Sequence, residues 1–201
     1  MEQHRKKTLS VLSHFTTLHF ISPALLGCLP LGKNMKVIIL IGRKRTGKTT
    51  FTCELINKLA RPKQLIFDVN NEYTRKLGVR NDYTGPLEHD FFLDAALKEK
   101  NALIVCEEAA TYLSNRGREE KLLKLMQESR HTNNSIIIIL HSIQDLPPYI
   151  YNRSDYLGLF KTQDFPGAID RKFKFNRQFM EAYTRVEASE NPHEVVFYPI
   201  I

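Results

Sequence analysis

Val37-Ile38-Ile39-Leu40-Ile41-Gly42-Arg43-Lys44-Arg45-Thr46-Gly47-Lys48-Thr49-Thr50 is the stretch whose reading decides the fold. Its opening residues are apolar and mostly β-branched, the pattern of a short strand buried on both faces. Gly42–Thr49 then matches GxxxxGK[ST] in full. The glycines let the backbone curl so that its N–H groups face inward. From Lys48 to Ala60, Phe51, Leu55, Ile56 and Leu59 recur at helical spacing, and Arg61-Pro62 stops the helix. Strand, glycine turn and helix in that order predict a phosphate-binding loop, because the helix start adds a favourable dipole for an anion.

The chemistry of that loop is specific. Lys48 brings a cation to the β- and γ-phosphates of a nucleoside triphosphate, and Thr49 offers its hydroxyl to Mg²⁺. The predicted binding set is Gly42, Arg45, Thr46, Gly47, Lys48, Thr49 and Thr50, with ATP and Mg²⁺ as ligands. Arg43, Lys44 and Arg45 either touch phosphate or a neighbouring subunit, or are solvated loop charges.

Outward from this loop, strands and helices alternate. Strands are expected at Leu65–Val69, Ala102–Cys106, Ser135–Leu140, Tyr156–Phe160 and near Val195–Ile200. Helices are expected at Glu88–Lys100, Glu119–His131 and near Ala168–Val186, with a polar loop over 70–86. The pattern predicts an α/β fold with a mostly parallel sheet flanked by helices, which resembles the RecA/ASCE-like three-layer sandwich of P-loop NTPases.

Two strand ends carry polar groups. Leu103-Ile104-Val105-Cys106 delivers Glu107 and Glu108 at its C-terminal edge, where ligands of open α/β sheets bind. One carboxylate can hold the metal and the next can act as general base on water, so Glu107 is assigned to Mg²⁺ and Glu108 to water. A capped helix start using Glu for its dipole is the alternative, which the complete phosphate loop disfavours. The isoleucine strand ends at Leu140 and delivers His141-Ser142. His141 is expected between the phosphate loop and the acidic strand, sensing the γ-phosphate or orienting water.

The chain has 201 residues and a net charge of +7, which fits one domain and favours an anionic partner such as nucleic acid. Cys28, Cys53 and Cys106 are far apart and lack metal-ligand spacing, so they read as buried free thiols. Residues 1–34 hold Arg5, Lys6, Lys7 and Lys33 against Glu2. Their apolar part is broken by His14, Thr16, Thr17, His19 and Pro23, too polar for a stable membrane span. The expected organisation is a poorly ordered extension over 1–34, or a membrane-associating arm, followed by the ATPase domain over 35–201.

Several of these elements together resemble a family. Asp68-Val69-Asn70-Asn71-Glu72-Tyr73 is similar to the D-x-x-x-E-Y element of the HerA–FtsK superfamily of DNA-pumping ATPases. Val105-Cys106-Glu107-Glu108-Ala109 resembles its EEA acidic strand. Arg130-His131, the isoleucine strand and His141-Ser142-Ile143-Gln144-Asp145-Leu146-Pro147 resemble its R-x-x-G…Q-x-x-x-D-L-P segment. Asn152 and the strand Tyr156–Phe160 fit the same layout, so the resemblance spans roughly residues 36–165. His141 stands where the family has a sensor glutamine, with Gln144 three residues later, and Asn133-Asn134 replace a glycine.

The small size is similar to compact viral and phage genome-packaging ATPases. That resemblance implies hydrolysis of ATP to translocate double-stranded DNA in a homo-oligomeric ring, a hexamer being one form. It also implies a capsid or portal-vertex partner, in the host cytoplasm or on the virion. A neighbouring subunit's arginine would complete each site. Arg116, Arg118 and Arg130 are candidates, and Arg130 matches the family segment best. Lys48, Glu108, His141 and Arg130 thus form the expected catalytic set. On the late helix, Phe175, Phe179, Ala182 and Val186 read as core, and Arg171, Lys174 and Arg185 as a phosphate-contacting or solvated face. A small-molecule or nucleotide kinase and a Zot-like phage assembly protein are the alternative functions.

Overall fold

The structure, a computed structural model, describes residues 19–21, 37–173 and 176–200. One sheet of seven strands runs through them: β1 His19–Ile21, β2 Val37–Ile41, β3 Lys63–Phe67, β4 Ala102–Cys106, β5 Ser135–Leu140, β6 Tyr156–Phe160 and β7 Val195–Pro199. Their order is β1-β7-β6-β2-β5-β4-β3. From β6 to β3 the strands are parallel, whereas β7 is antiparallel to β6 and β1 to β7. The sheet therefore draws His19–Ile21 from the segment before Met35. The rest of 1–34, with Cys28, lies outside the described residues, as do Lys174 and Phe175.

The helices are α1 Lys48–Leu59, α2 Glu72–Arg75, α3 His89–Ala96, α4 Ala110–Leu113, α5 Arg116–Thr132, α6 Pro148–Tyr151, α7 Pro166–Phe173 and α8 Arg177–Ala188. They cover both faces of the sheet. Ile38, Leu40, Ile137, Ile139, Leu103 and Val105 point to one face and pack with Phe51, Leu55 and Ile56 of α1. Ile39, Ile41, Ile136, Ile138 and Ile104 point to the other, against Phe92 of α3, Leu122 and Met126 of α5, and Phe179 and Val186 of α8. Strand residues alternate between faces, so a strand covered on both sides must be apolar throughout. This is the expected three-layer α/β sandwich. Cys53 and Cys106 are buried free thiols. No helix among the described residues is long and apolar enough to cross a membrane.

Some boundaries differ from the sequence expectation. β3 is Lys63–Phe67, not Leu65–Val69, because Asp68 leaves the strand to cap α2 and Val69 is exposed. Helix α3 stops at Ala96, where Lys98 and Glu99 N–H groups bond the carbonyls of Ala95 and Ala96 in tighter turns. The long late helix is two helices: Asn176 accepts from Phe179 N at 2.9 Å and starts α8 anew. Phe179, Ala182 and Val186 are buried, and Arg171 and Arg185 are exposed.

The polar loop 70–86 has a structural task. Asn81 donates to Ile66 O at 3.2 Å and accepts from Ile66 N at 3.1 Å, and Asp82 accepts from Gln64 N at 3.0 Å. It satisfies the outer backbone edge of β3, which would otherwise offer itself to another chain.

Candidate active site

The chain leaves β2 toward β3 on one side and leaves β5 toward β6 on the other, so the C-terminal ends of β2, β5 and β4 open a crevice. The register pairs Ile41 with Leu140 and Ile138 with Cys106, which brings the phosphate loop, His141 and Glu107-Glu108 out at one edge. His141 lies between the other two, as its place on β5 requires. A cavity of about 490 Å³ there is lined by Lys48, Thr49, Glu107, Glu108 and His141, and also by Lys44, Arg45, Gly47, Thr50, Asn70, Glu72, Ile139 and His193.

The loop that wraps it is fixed by close approach. Gly42 N donates to Leu140 O at 3.2 Å, and a Cβ on Gly42 would come within 2.5 Å of Phe160 Cβ. Gly47 adopts φ +89°, and Arg45 holds φ +67° without being glycine. Thr46 Oγ1 donates to Arg43 O at 2.9 Å, which ties the loop to itself. Lys48 Nζ donates to Gly42 O, and to Arg43 O at 2.8 Å. Burial lowers the Lys48 pKa to about 8, and the charges of Glu107 and Glu108 oppose that shift. Arg43, Lys44 and Arg45 are exposed, with Lys44 and Arg45 turned to the cavity.

The acidic pair divides its environment. Glu107 is pushed up to about 7 by burial and by the nearby charges of Asp68, Glu108 and Glu72. The Tyr73 hydroxyl donates to Glu107 Oε1 at 2.6 Å and pulls the other way. Asp68 explains how Tyr73 gets there: its carboxylate accepts from Glu72 N and Tyr73 N, both at 2.9 Å, and so starts α2. Glu108 takes φ +52°, a left-handed backbone that costs a non-glycine residue about 1 kcal/mol and gathers at functional sites. That turn sets its Oε1 3.1 Å from His141 Nε2.

Among the described residues no group of three or more His, Cys, Asp or Glu is placed to hold a metal. The oxygen donors Thr49 and Glu107 on this cavity suit Mg²⁺, which keeps waters and takes phosphate oxygens besides one or two protein ligands. Gln144 is exposed in the 3-10 turn Ile143–Asp145, away from the cavity, whereas His141 lines it.

The candidate arginines do not reach this cavity. Arg116 pairs with Glu120 at 3.1 Å and Arg118 with Asp90 at 2.8 Å. Arg130 pairs with Asp155 at 3.5 Å, and Asp155 in turn accepts from Val37 N. Val37 opens β2 and the phosphate loop closes it, so Arg130 stands at the opposite end of the sheet, about 13 Å away along the strand. Two residues went unassigned in the sequence: Tyr73, buried behind Glu107, and His193, which lines the cavity. Tyr73 sits in the D-x-x-x-E-Y element but shows its use only through Glu107. His193 is distant in the chain and follows an Asn191-Pro192 turn that carries no motif.

No protein-family model matches the sequence, and no curated protein does. Solved structures do. The genome packaging NTPase B204 from Sulfolobus turreted icosahedral virus 2, in complex with ATP-gammaS, has a TM-score of 0.62 at 20% identity, over 83% of this chain and 93% of that one. The same protein with AMPPCP has a TM-score of 0.57 at 19% identity, over 85% of this chain and 100% of that one. B204, the DNA-packaging ATPase from Sulfolobus turreted icosahedral virus, has a TM-score of 0.57 at 15% identity, over 84% and 99%. The chain thus shares the compact P-loop NTPase fold of these viral packaging proteins.

Proposed function

We propose that the chain is a Mg²⁺-dependent ATPase that moves double-stranded DNA, in viral or phage genome packaging. The carrying observation is that Lys48, Thr49, Glu107, Glu108 and His141 converge on one cavity in a fold shared with the genome packaging NTPase B204.

In this reading the loop N–H groups and Lys48 hold the β- and γ-phosphates. Thr49 and Glu107 would hold Mg²⁺, which when bound neutralises charge on the phosphate oxygens. Glu108 accepts a proton from the attacking water as its oxygen bonds the γ-phosphorus and the bond to the bridging oxygen breaks. His141, hydrogen-bonded to Glu108, keeps that carboxylate aimed. Arg130 acts on a neighbouring copy within a homo-oligomeric ring. The capsid or portal vertex receives the DNA, which places the protein in the host cytoplasm or on the virion.

Phosphate release with and without double-stranded DNA, on wild type and Glu108→Gln, tests this. DNA should stimulate wild type, and the variant should lose about 10²–10⁴-fold of the turnover, the size of a general-base contribution. Transfer of phosphate to a nucleoside monophosphate in place of water would sink the proposal and favour a kinase.

A further inference from the structure

His193 lies outside every motif above, yet it lines the same cavity. It belongs to the turn between α8 and β7. A Cβ on Gly47 would sit 3.5 Å from His193 Nδ1, so the imidazole packs on the bare backbone where the phosphate loop meets α1. The turn is braced. His193 N donates to Asn191 Oδ1 at 2.9 Å, Asn191 N to Ser189 Oγ at 3.1 Å, and Ser189 Oγ to Glu194 Oε2 at 2.8 Å. It is also linked to the loop: Lys161 Nζ donates to Ser189 O, and Arg43 N donates to Lys161 O at 2.8 Å.

The sheet order gives this histidine a side. β2, which carries the phosphate loop, has β5 and β4 on one flank and β6 and β7 on the other. Glu107, Glu108 and His141 come from the first flank and His193 from the second. Adjacent strands are about 4.8 Å apart, so each flank reaches about 10 Å from β2, and the two together span a nucleoside triphosphate. In the proposed ATPase the carboxylates serve water and metal at the γ-phosphate, which leaves the opposite flank for the other end of the nucleotide.

We infer that His193 is the contact for the nucleoside end of the bound nucleotide, its imidazole meeting base or ribose while the loop holds the phosphates. This deepens the ATPase reading and rests on it. The ring offers a flat face and a polar edge on a turn held in place beforehand, and ring-on-base contacts discriminate a nucleotide from bare polyphosphate.

Calorimetric titration of the full chain with ATP, AMP and inorganic tripolyphosphate, for wild type, His193→Ala and Lys48→Ala, tests the inference. His193→Ala should weaken ATP and AMP alike by about tenfold, the measure of one ring contact, and leave tripolyphosphate unchanged. Lys48→Ala should weaken ATP and tripolyphosphate together. The inference is overturned if His193→Ala binds ATP as wild type does, or if tripolyphosphate falls in parallel with ATP. Should wild type bind neither ATP nor tripolyphosphate, the ATPase reading fails and takes this inference with it. Thermal melting of His193→Ala is expected to match wild type, since the side chain is exposed.

Discussion

Glu107 and Lys48 line the same cavity with their pKa values displaced toward one another, about 7 and about 8, each chiefly by burial. In the proposed ATPase Glu107 would hold Mg²⁺ only when ionised, so kcat/KM should rise with pH through about 7. In the same reading Lys48 would hold phosphate only when protonated, so the rate should fall through about 8. The expected profile is a narrow bell. Tyr73→Phe removes a hydrogen bond that favours the charged Glu107, so the acid limb should move to higher pH while the basic limb stays. An unmoved acid limb would refute the role of Tyr73. Stability gives a second view. The folded state binds more protons than the unfolded chain between about 4.5 and about 7, so the Glu107 contribution declines as pH rises through that window. Glu107→Gln should flatten this decline in denaturant titrations.

At the scale of elements, β3 shows how a strand at the edge is kept from pairing further. Asn81→Ala removes both side-chain bonds to the Ile66 backbone and leaves a donor and an acceptor half-buried. The expected loss is about 1–3 kcal/mol in urea unfolding, with increased self-association by light scattering. Unchanged stability and association would mean that water replaces Asn81 freely. The same strand shows where the sequence was legible. β2, β4, β5 and β6 are covered on both faces and appear as unbroken apolar runs, so their bounds match the expectation. β3 begins with Lys63 and Gln64, half-buried at the rim, and local hydrophobicity misplaces it by two residues. The break between α7 and α8 hides in a continuous amphipathic pattern, because only the cap at Asn176 marks it. The phosphate loop and acidic pair are local motifs and were legible. His193 joins them through the packing of β7 beside β6, which no local window contains.

For the whole molecule, the question is what a single copy lacks. Its cavity holds the cations Lys44, Arg45 and Lys48 but none of the arginines that follow the acidic strand. Arg130 is 77% exposed on the far end of the sheet, and its ion pair with Asp155 is of the surface kind worth less than about 1 kcal/mol. An arginine so placed can reach a γ-phosphate only in another copy. Two defective variants then become complementary. In the proposed ring, Lys48→Ala should fail to hold ATP but still present Arg130 to its neighbour. Arg130→Ala should hold ATP but present nothing. Each alone should hydrolyse ATP poorly, by about 10³-fold or more for a missing trans arginine. Mixed and assembled, some sites pair an intact loop with an intact arginine, and DNA-stimulated turnover should recover in part. Recovery should peak near equal proportions, since productive neighbours require one variant beside the other. If the mixture is as inactive as its components while ring formation is retained, Arg130 does not act between copies, and its pairing with Asp155 is the whole of its task.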